Sequence, residues 1–242
     1  MKQIDKDPAK AAHYNAIGAA AKADGFLGRE LFNNFKWRSK NQLFHALAEE
    51  QGYICCYCMS EIKDREDANG VAITKDGLSL LDMSIEHFEP LTDNDGLITD
   101  YNNLFASCSG GKRSGKANRY CDPHKGETEL VHIPNMASLP AIDFDNQLEL
   151  YYTVSGEVYS NNPNIERELE DVLNLNAAEL KRIRRRIWNR VRLDVKDIAD
   201  SEGISEEEAA EQELPSYERK GDDGKFYSFA PMVVYLLKSE YL

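Results

Sequence analysis

The chain has 242 residues, 42% of them hydrophobic, and a formal net charge of −13. That length suits one large domain, or a small catalytic core with helical flanks. No apolar run approaches the roughly 20 residues that a membrane-crossing helix needs, and the start, Met-Lys-Gln-Ile-Asp-Lys-Asp-Pro, lacks the apolar stretch of a signal peptide, so a cytoplasmic, reducing setting without a membrane partner is expected.

Asp7-Pro8 has the chemistry of an N-cap followed by proline in the first helical turn, predicting a helix to about Ala23 that stops near Gly25. A second helix is predicted from about Arg29 to Glu50, where Leu31, Phe35, Leu43 and Leu47 fall on one face and Gly52 terminates. His13 and His45 have no acidic or cysteine neighbour at ligand spacing, and both are read as packing residues.

From Tyr53 to about Tyr151 the pattern breaks into short apolar runs separated by Gly, Asp, Asn and Pro. Such a region buries too little to stand alone, a deficit that a structural metal would repair. Leu148–Val154 then reads as a strand, with Gly156 in the turn and Val158-Tyr159 as its hairpin partner. Asn176 and Glu179 resemble a capping box opening a helix to about Ile198, with an apolar stripe at Ile183, Ile187, Val191 and Val195. The glutamate-rich Glu202–Glu213 stretch reads as a solvated helix or loop, and apolar Phe229–Leu237 as a tail that docks on the body. The division expected is 1–52 helical, 53–160 core, and 161–242 basic helix, acidic segment and docking tail.

Charge is uneven. Lys112, Arg113, Lys116, Arg119 and Lys125 face one acid, Asp122, within 110–125, and eight cations face Asp194 within 181–196. Local field decides where a phosphate backbone docks, so the acidic total does not exclude nucleic acid. Lys112, Arg113 and Lys116 on a glycine-rich loop suit phosphate contact, as do Arg182, Arg185 and Arg186; the bland alternatives are a solvated loop and pairing with the glutamate run.

Cys55 and Cys58 form a C-x-x-C turn, and Cys108 with Cys121 can supply the other corners of a tetrahedral zinc site, although about a dozen residues separate that second pair. Cys56 is the spare and reads as a small buried hydrophobe. Ser84-Ile85-Glu86-His87-Phe88 joins an imidazole suited to activating water with a carboxylate suited to Mg²⁺ or Mn²⁺. In a regular strand these two side chains oppose each other, so one shared site requires a bend, for which Pro90 and the Thr92–Gly96 turn provide. The bland reading of the pair alone is a buried histidine satisfied by a strand neighbour.

The order C-x-Y-C, E-H, N-L-x-x-x-C and C-x-x-H-K-G resembles the HNH nucleases of the ββα-metal fold. Its wording, I-E-H-F-x-P followed by N-N-L-x-x-S-C and a glycine-rich insert, is similar to the HNH subunit of Septu-type and retron-associated anti-phage systems. The resemblance covers residues 53–126, and more weakly 165–195, where Leu173-Asn174-Leu175-Asn176 precedes the basic helix. It implies an α+β fold with a small zinc-stabilised core flanked by helices, and an endonuclease acting on DNA, or on structured RNA such as tRNA, beside an ABC-type ATPase. It further implies His87 as general base, Glu86 as ligand to a catalytic Mg²⁺ or Mn²⁺, Asn103 as the clasp of the loop bearing His87, and Lys125 as a phosphate contact. His124 is the expected second ligand, with Asp122 as the alternative. Another class of function is a non-catalytic zinc-stabilised subunit that binds nucleic acid or the ATPase. A zinc-finger transcription factor is disfavoured because no base-reading helix follows the knuckle.

Overall fold

A computed structural model describes residues 1–91, 96–112, 115–137 and 148–242, and shows a mixed α+β chain without a helix long and apolar enough to cross a membrane among those residues. Helix α1, Pro8–Ala23, starts as expected: the Asp7 carboxylate accepts the Ala9 N–H at 2.8 Å and Pro8 opens the first turn. The single helix expected over 29–50 is instead two, α2 (Gly28–Ser39) and α3 (Gln42–Glu50). Lys40 breaks them apart at φ 51°, a left-handed conformation unusual for a lysine. No glycine or proline marks the break. Its cause is non-local: Asn41 Nδ2 and His45 Nε2 both bond the Ser79 carbonyl, each at 2.8 Å, which draws α3 onto a distant ribbon.

That ribbon pairs β1 (Thr74–Lys75) with β2 (Leu78–Ser79) around Asp76-Gly77, both at positive φ, as a two-residue hairpin turn requires. The central pair is β3 (Met83–His87) with β4 (Leu104–Cys108), antiparallel, with Glu86 opposite Phe105 and His87 opposite Leu104. Strand β4 is buried throughout and serves two cores. Leu104 and Ala106 pack with Tyr14, Phe35, Leu43 and Leu47 of the N-terminal helices, whereas Phe105 and Cys108 join the larger cluster that includes Trp188, Val191 and Leu236.

After a one-turn helix α4 (Asp122–Lys125), β5 (Leu150–Tyr152) and β6 (Val158–Ser160) form the expected hairpin. Helix α5 (Pro163–Arg167) runs into a wide π-type turn, Glu168–Val172, and the long helices α6 (Ala178–Glu202), α7 (Glu206–Glu218) and α8 (Ala230–Glu240) complete the chain. The glutamate run is thus helical, opened by a capping box between Ser205 and Glu208, and the apolar tail packs inward through Val233, Leu236 and Leu237.

Two details of α6 depart from expectation. Asn176 does not cap it; its side chain clasps both the N–H and the C=O of Val158, at 2.9 and 2.8 Å, tying the helix entrance to β6. The buried face comprises Leu180, Arg184, Trp188, Val191, Val195 and Ala199, with Ile183 and Ile187 only half-buried at its margin. Periodicity of apolar residues missed this rotation because a guanidinium lies on the inner face. Arg184 donates to the carbonyls of Gly156 and Leu175, at 3.2 and 2.8 Å, so its charge is spent inside the fold.

Candidate metal centre and adjoining cleft

The sulfurs of Cys55, Cys58, Cys108 and Cys121 all lie within 4.8 Å of one another, and all four residues are buried. The Cys55–Cys121 and Cys58–Cys108 separations are 3.9 and 3.7 Å. A tetrahedral zinc with Zn–S bonds of about 2.3 Å requires sulfur–sulfur edges of about 3.8 Å. The four cysteines can therefore hold a metal ion such as zinc. Burial pushes the Cys121 thiol well above its ordinary range, with Cys108 adding to the effect, so a divalent cation is what would let all four ionise together. Cys56 is buried beside the group but is not one of the four.

Local backbone explains how the wide Cys108–Cys121 spacing closes. Gly110 sits at φ 51° with its carbonyl taking the Tyr120 N–H at 3.0 Å. A Cβ there would meet the Tyr120 carbonyl at 2.1 Å, so only glycine permits the approach. Cys121, also at positive φ, gives its N–H to the Leu173 carbonyl at 2.9 Å, while Asn174 Nδ2 holds the Arg119 carbonyl at 2.7 Å. The Leu173–Asn176 segment is thus the seat of the fourth cysteine and of the β6 clasp.

The start of α4, which follows Cys121 directly, and β3 border a cleft of about 320 Å³ whose lining includes Ser84, Glu86, His87 and Asp122. Glu86 accepts from the Tyr57 hydroxyl at 2.7 Å and pairs with Lys125 Nζ at 2.9 Å, both at Oε1. Its carboxyl group also contacts that of Asp122, which takes a further bond from Ser84 Oγ. Burial, opposed by Lys125 and reinforced by Asp122, raises Glu86 to about 8. Two carboxyl groups in contact, with the single ammonium group of Lys125 between the buried one and its surroundings, are costly to ionise together.

His87 ends β3, where the strand stops, so it shares the cleft with Glu86 despite the alternation of a regular strand. Its Nε2 is 3.0 Å from the Ile98 carbonyl and its ring meets Phe32 edge-on at 4.5 Å. A carbonyl only accepts, so Nε2 carries the proton and Nδ1 keeps its lone pair. Burial, opposed by the Ile98 bond, lowers His87 from its ordinary 6.5 to about 4, which makes it neutral at physiological pH. Asn103 fastens the loop that follows: Oδ1 accepts the Glu89 N–H at 2.8 Å, and Nδ2 donates to the carbonyls of Glu89 and Leu97 at 3.1 and 3.2 Å. Of the expected Thr92–Gly96 turn, residues 92–95 lie outside the described ones.

A stability prediction follows for His87. The unfolded chain binds its proton below about 6.5 and the folded chain only near 4, so folding stability is complete above that window and is lost as pH falls through it. The shift corresponds to on the order of 3 kcal/mol. Denaturant midpoints of wild type and His87→Asn, measured from pH 7 to pH 4, are expected to show the steeper acid loss in wild type; parallel slopes would refute the assignment.

Other expected residues are placed differently. His124 Nδ1 bonds the Val172 carbonyl at 2.9 Å and its side chain does not line the cleft; Asp122 does. Lys125, expected to meet phosphate, is buried and donates to the His87 carbonyl at 3.1 Å as well as pairing with Glu86. Lys112 does line the cleft, 3.7 Å from Asp122, whereas Lys116 is exposed on a 3-10 turn and Arg113 lies outside the described residues. Arg182 pairs with Glu179 on its own helix, and Arg185 and Arg186 face solvent. Among the described residues no ion pair joins α6 to the glutamates of α7.

Sequence reasoning also missed a wall of the cleft: Arg29, Phe32, Asn33 and Lys36, all on α2. The signal was present, since Arg29, Asn33 and Lys36 recur at helical spacing on one polar, cationic face. Tyr57, which the C-x-Y-C motif carries without an assigned role, donates its hydroxyl to Glu86 in that cleft. No family model matches this chain, and no curated protein matches it.

Proposed function

We propose that this protein is a metal-dependent endonuclease of the HNH type that hydrolyses phosphodiester bonds of DNA, or of structured RNA such as tRNA, beside an ABC-type ATPase as its resemblance to Septu-type subunits implies. The observation that carries the reading is the meeting, in one cleft, of a neutral imidazole oriented through Nε2 with the Glu86–Asp122 carboxyl pair. The antiparallel β3–β4 pair followed by α4 would correspond to the ββα-metal core, and the four cysteines to its structural zinc.

On this reading His87 Nδ1 takes the proton of the attacking water as the water oxygen bonds to phosphorus and the leaving oxygen departs. Mg²⁺ or Mn²⁺ held by Glu86 and Asp122 would supply Lewis-acid neutralisation of the phosphate and the leaving oxygen. Lys125 is a positioning residue: one ammonium group fixes both the Glu86 carboxylate and the His87 backbone. Arg29, Lys36 and Lys112 at the rim supply charge for the phosphates. Asn103 sets the loop on which the Ile98 carbonyl approaches His87.

A second reading, a zinc-stabilised binding subunit without catalysis, draws on the Glu86–Lys125 ion pair, which neutralises a would-be ligand internally. Plasmid DNA and total RNA, offered with Mg²⁺ or Mn²⁺ to the chain and any co-encoded ATPase, decide between the two. Cleavage is expected in wild type, with Asp122→Asn reduced about a hundredfold or more. His124→Ala should stay within a few-fold, because its imidazole is bound to a carbonyl outside the cleft. The reverse ranking would return the ligand role to His124, and zinc-replete wild type that cuts neither substrate would favour the binding subunit.

A further inference from the structure

We propose that the broad groove adjoining the candidate site is a track for an unpaired nucleic-acid strand, with Trp37 as its stacking platform. This inference rests on the nuclease reading only for the fate of the bound strand. The groove encloses about 850 Å³ and shares Lys36, Phe44 and Met83 with the smaller cleft, so the two are continuous. Its charge is opposite to that of the chain as a whole: Lys36, Arg38, Lys40, Arg65 and Lys75 line it against one acid, Asp76, in a protein of net charge −13.

Arg38 is partly spent on Asp24, but Lys36, Lys40, Arg65 and Lys75 make no ion pair among the described residues. Lys36 carries a lowered pKa, from burial and then from the neighbouring charges of Arg29 and Lys112, which describes a cluster of cations in want of an anion. Phosphates at successive positions supply that anion along a line, as a compact ligand cannot.

Trp37 distinguishes the occupant. It is 76% exposed, although its neighbours on α2, Leu31 and Phe35, are wholly buried. A large ring left in water among cations has a ready partner in a nucleobase, which stacks on an aromatic face whatever its identity. A duplex covers its base faces, so the geometry selects an unpaired strand. A strand leaving Trp37 along Lys36 enters the cleft that His87 and Asp122 line.

The chain has two tryptophans, and the other, Trp188, is 1% exposed, so solvent-exposed emission reports on Trp37. Titrating wild type with an oligothymidylate of about 15 nucleotides, with no divalent ion added, is expected to quench that emission. In anisotropy with labelled oligonucleotide, Trp37→Ala should bind about tenfold more weakly. The triple variant Lys40→Gln, Arg65→Gln, Lys75→Gln should lower the slope of log K against log salt by about 2. Zinc content should stay unchanged, because all four side chains are exposed and lie away from the cysteines.

Wild-type affinity in both variants would overturn the track, as would equal quenching by duplex DNA. Equal quenching by polyglutamate would instead assign the groove to an acidic protein. The two readings fail separately: strand binding without cleavage leaves the track and removes the nuclease, whereas full cleavage efficiency in the triple variant leaves the nuclease and removes the track.

Discussion

Replacing Cys121 by serine is expected to abolish stoichiometric zinc binding and to lower the melting temperature by on the order of 10–20 °C. The magnitude comes from scale. Structural zinc sites contribute apparent free energies of about 10–16 kcal/mol, comparable with the whole stability of an ordinary domain. A loss of even about 5 kcal/mol in a chain of this size moves the melting point by that much. The effect should be global, because the four cysteines belong to the larger apolar cluster, together with Phe105, Leu173 and Trp188. Losing the metal also leaves three thiols in a buried pocket without the cation that reconciles them. Cys56→Ala is the control: its sulfur is outside the four-membered group, so zinc should stay at one ion per chain. Elemental analysis beside thermal melts checks both variants. Cys121→Ser that keeps one zinc and a wild-type melting point would show that these sulfurs are merely close.

How much of this was legible in the sequence depends on how local each cause is. The start of α1 was readable because Asp7 and Pro8 act on the adjacent turn. The β5–β6 hairpin was readable for the same reason. The division at Lys40 was not, because the pull comes from the Ser79 carbonyl. Asn176 looks like a cap and acts as a clasp on Val158, 18 positions away. The cysteine quartet could be named from residue type, but its closure depends on Gly110 passing under Tyr120. That the His124 ring turns to the Val172 carbonyl, 48 positions along the chain, while Asp122 lines the cleft, has no local signal in the sequence. Lys125 was expected to meet phosphate; it is instead buried, where Glu86 Oε1 and the His87 carbonyl take its ammonium group, partners 39 and 38 positions away that no local pattern announces.

His87→Ala is expected to reduce cleavage by about 10²–10⁴-fold, the range removed with a positioned general base. The loss should fall on kcat with KM nearly constant, since proton transfer is an interaction of the transition state and strand binding is assigned to other residues. A structural role would give a different signature. His87 also bonds Ile98 and packs on Phe32, so the alanine variant loses some stability, and His87→Asn provides a second variant that retains a polar group in that space. The discriminating readout is rescue. The cavity left in His87→Ala opens onto the cleft, and imidazole supplied in solution can accept the water proton there. Activity restored in proportion to added imidazole, with zinc content constant, would tie the missing chemistry to the ring itself. Activity equal to wild type before any addition would mean that another group accepts the proton. In that case the buried His87 serves only to hold the Ile98 carbonyl, and the search for the base would move to the carboxyl groups that line the cleft, first to Glu86, which burial raises to about 8.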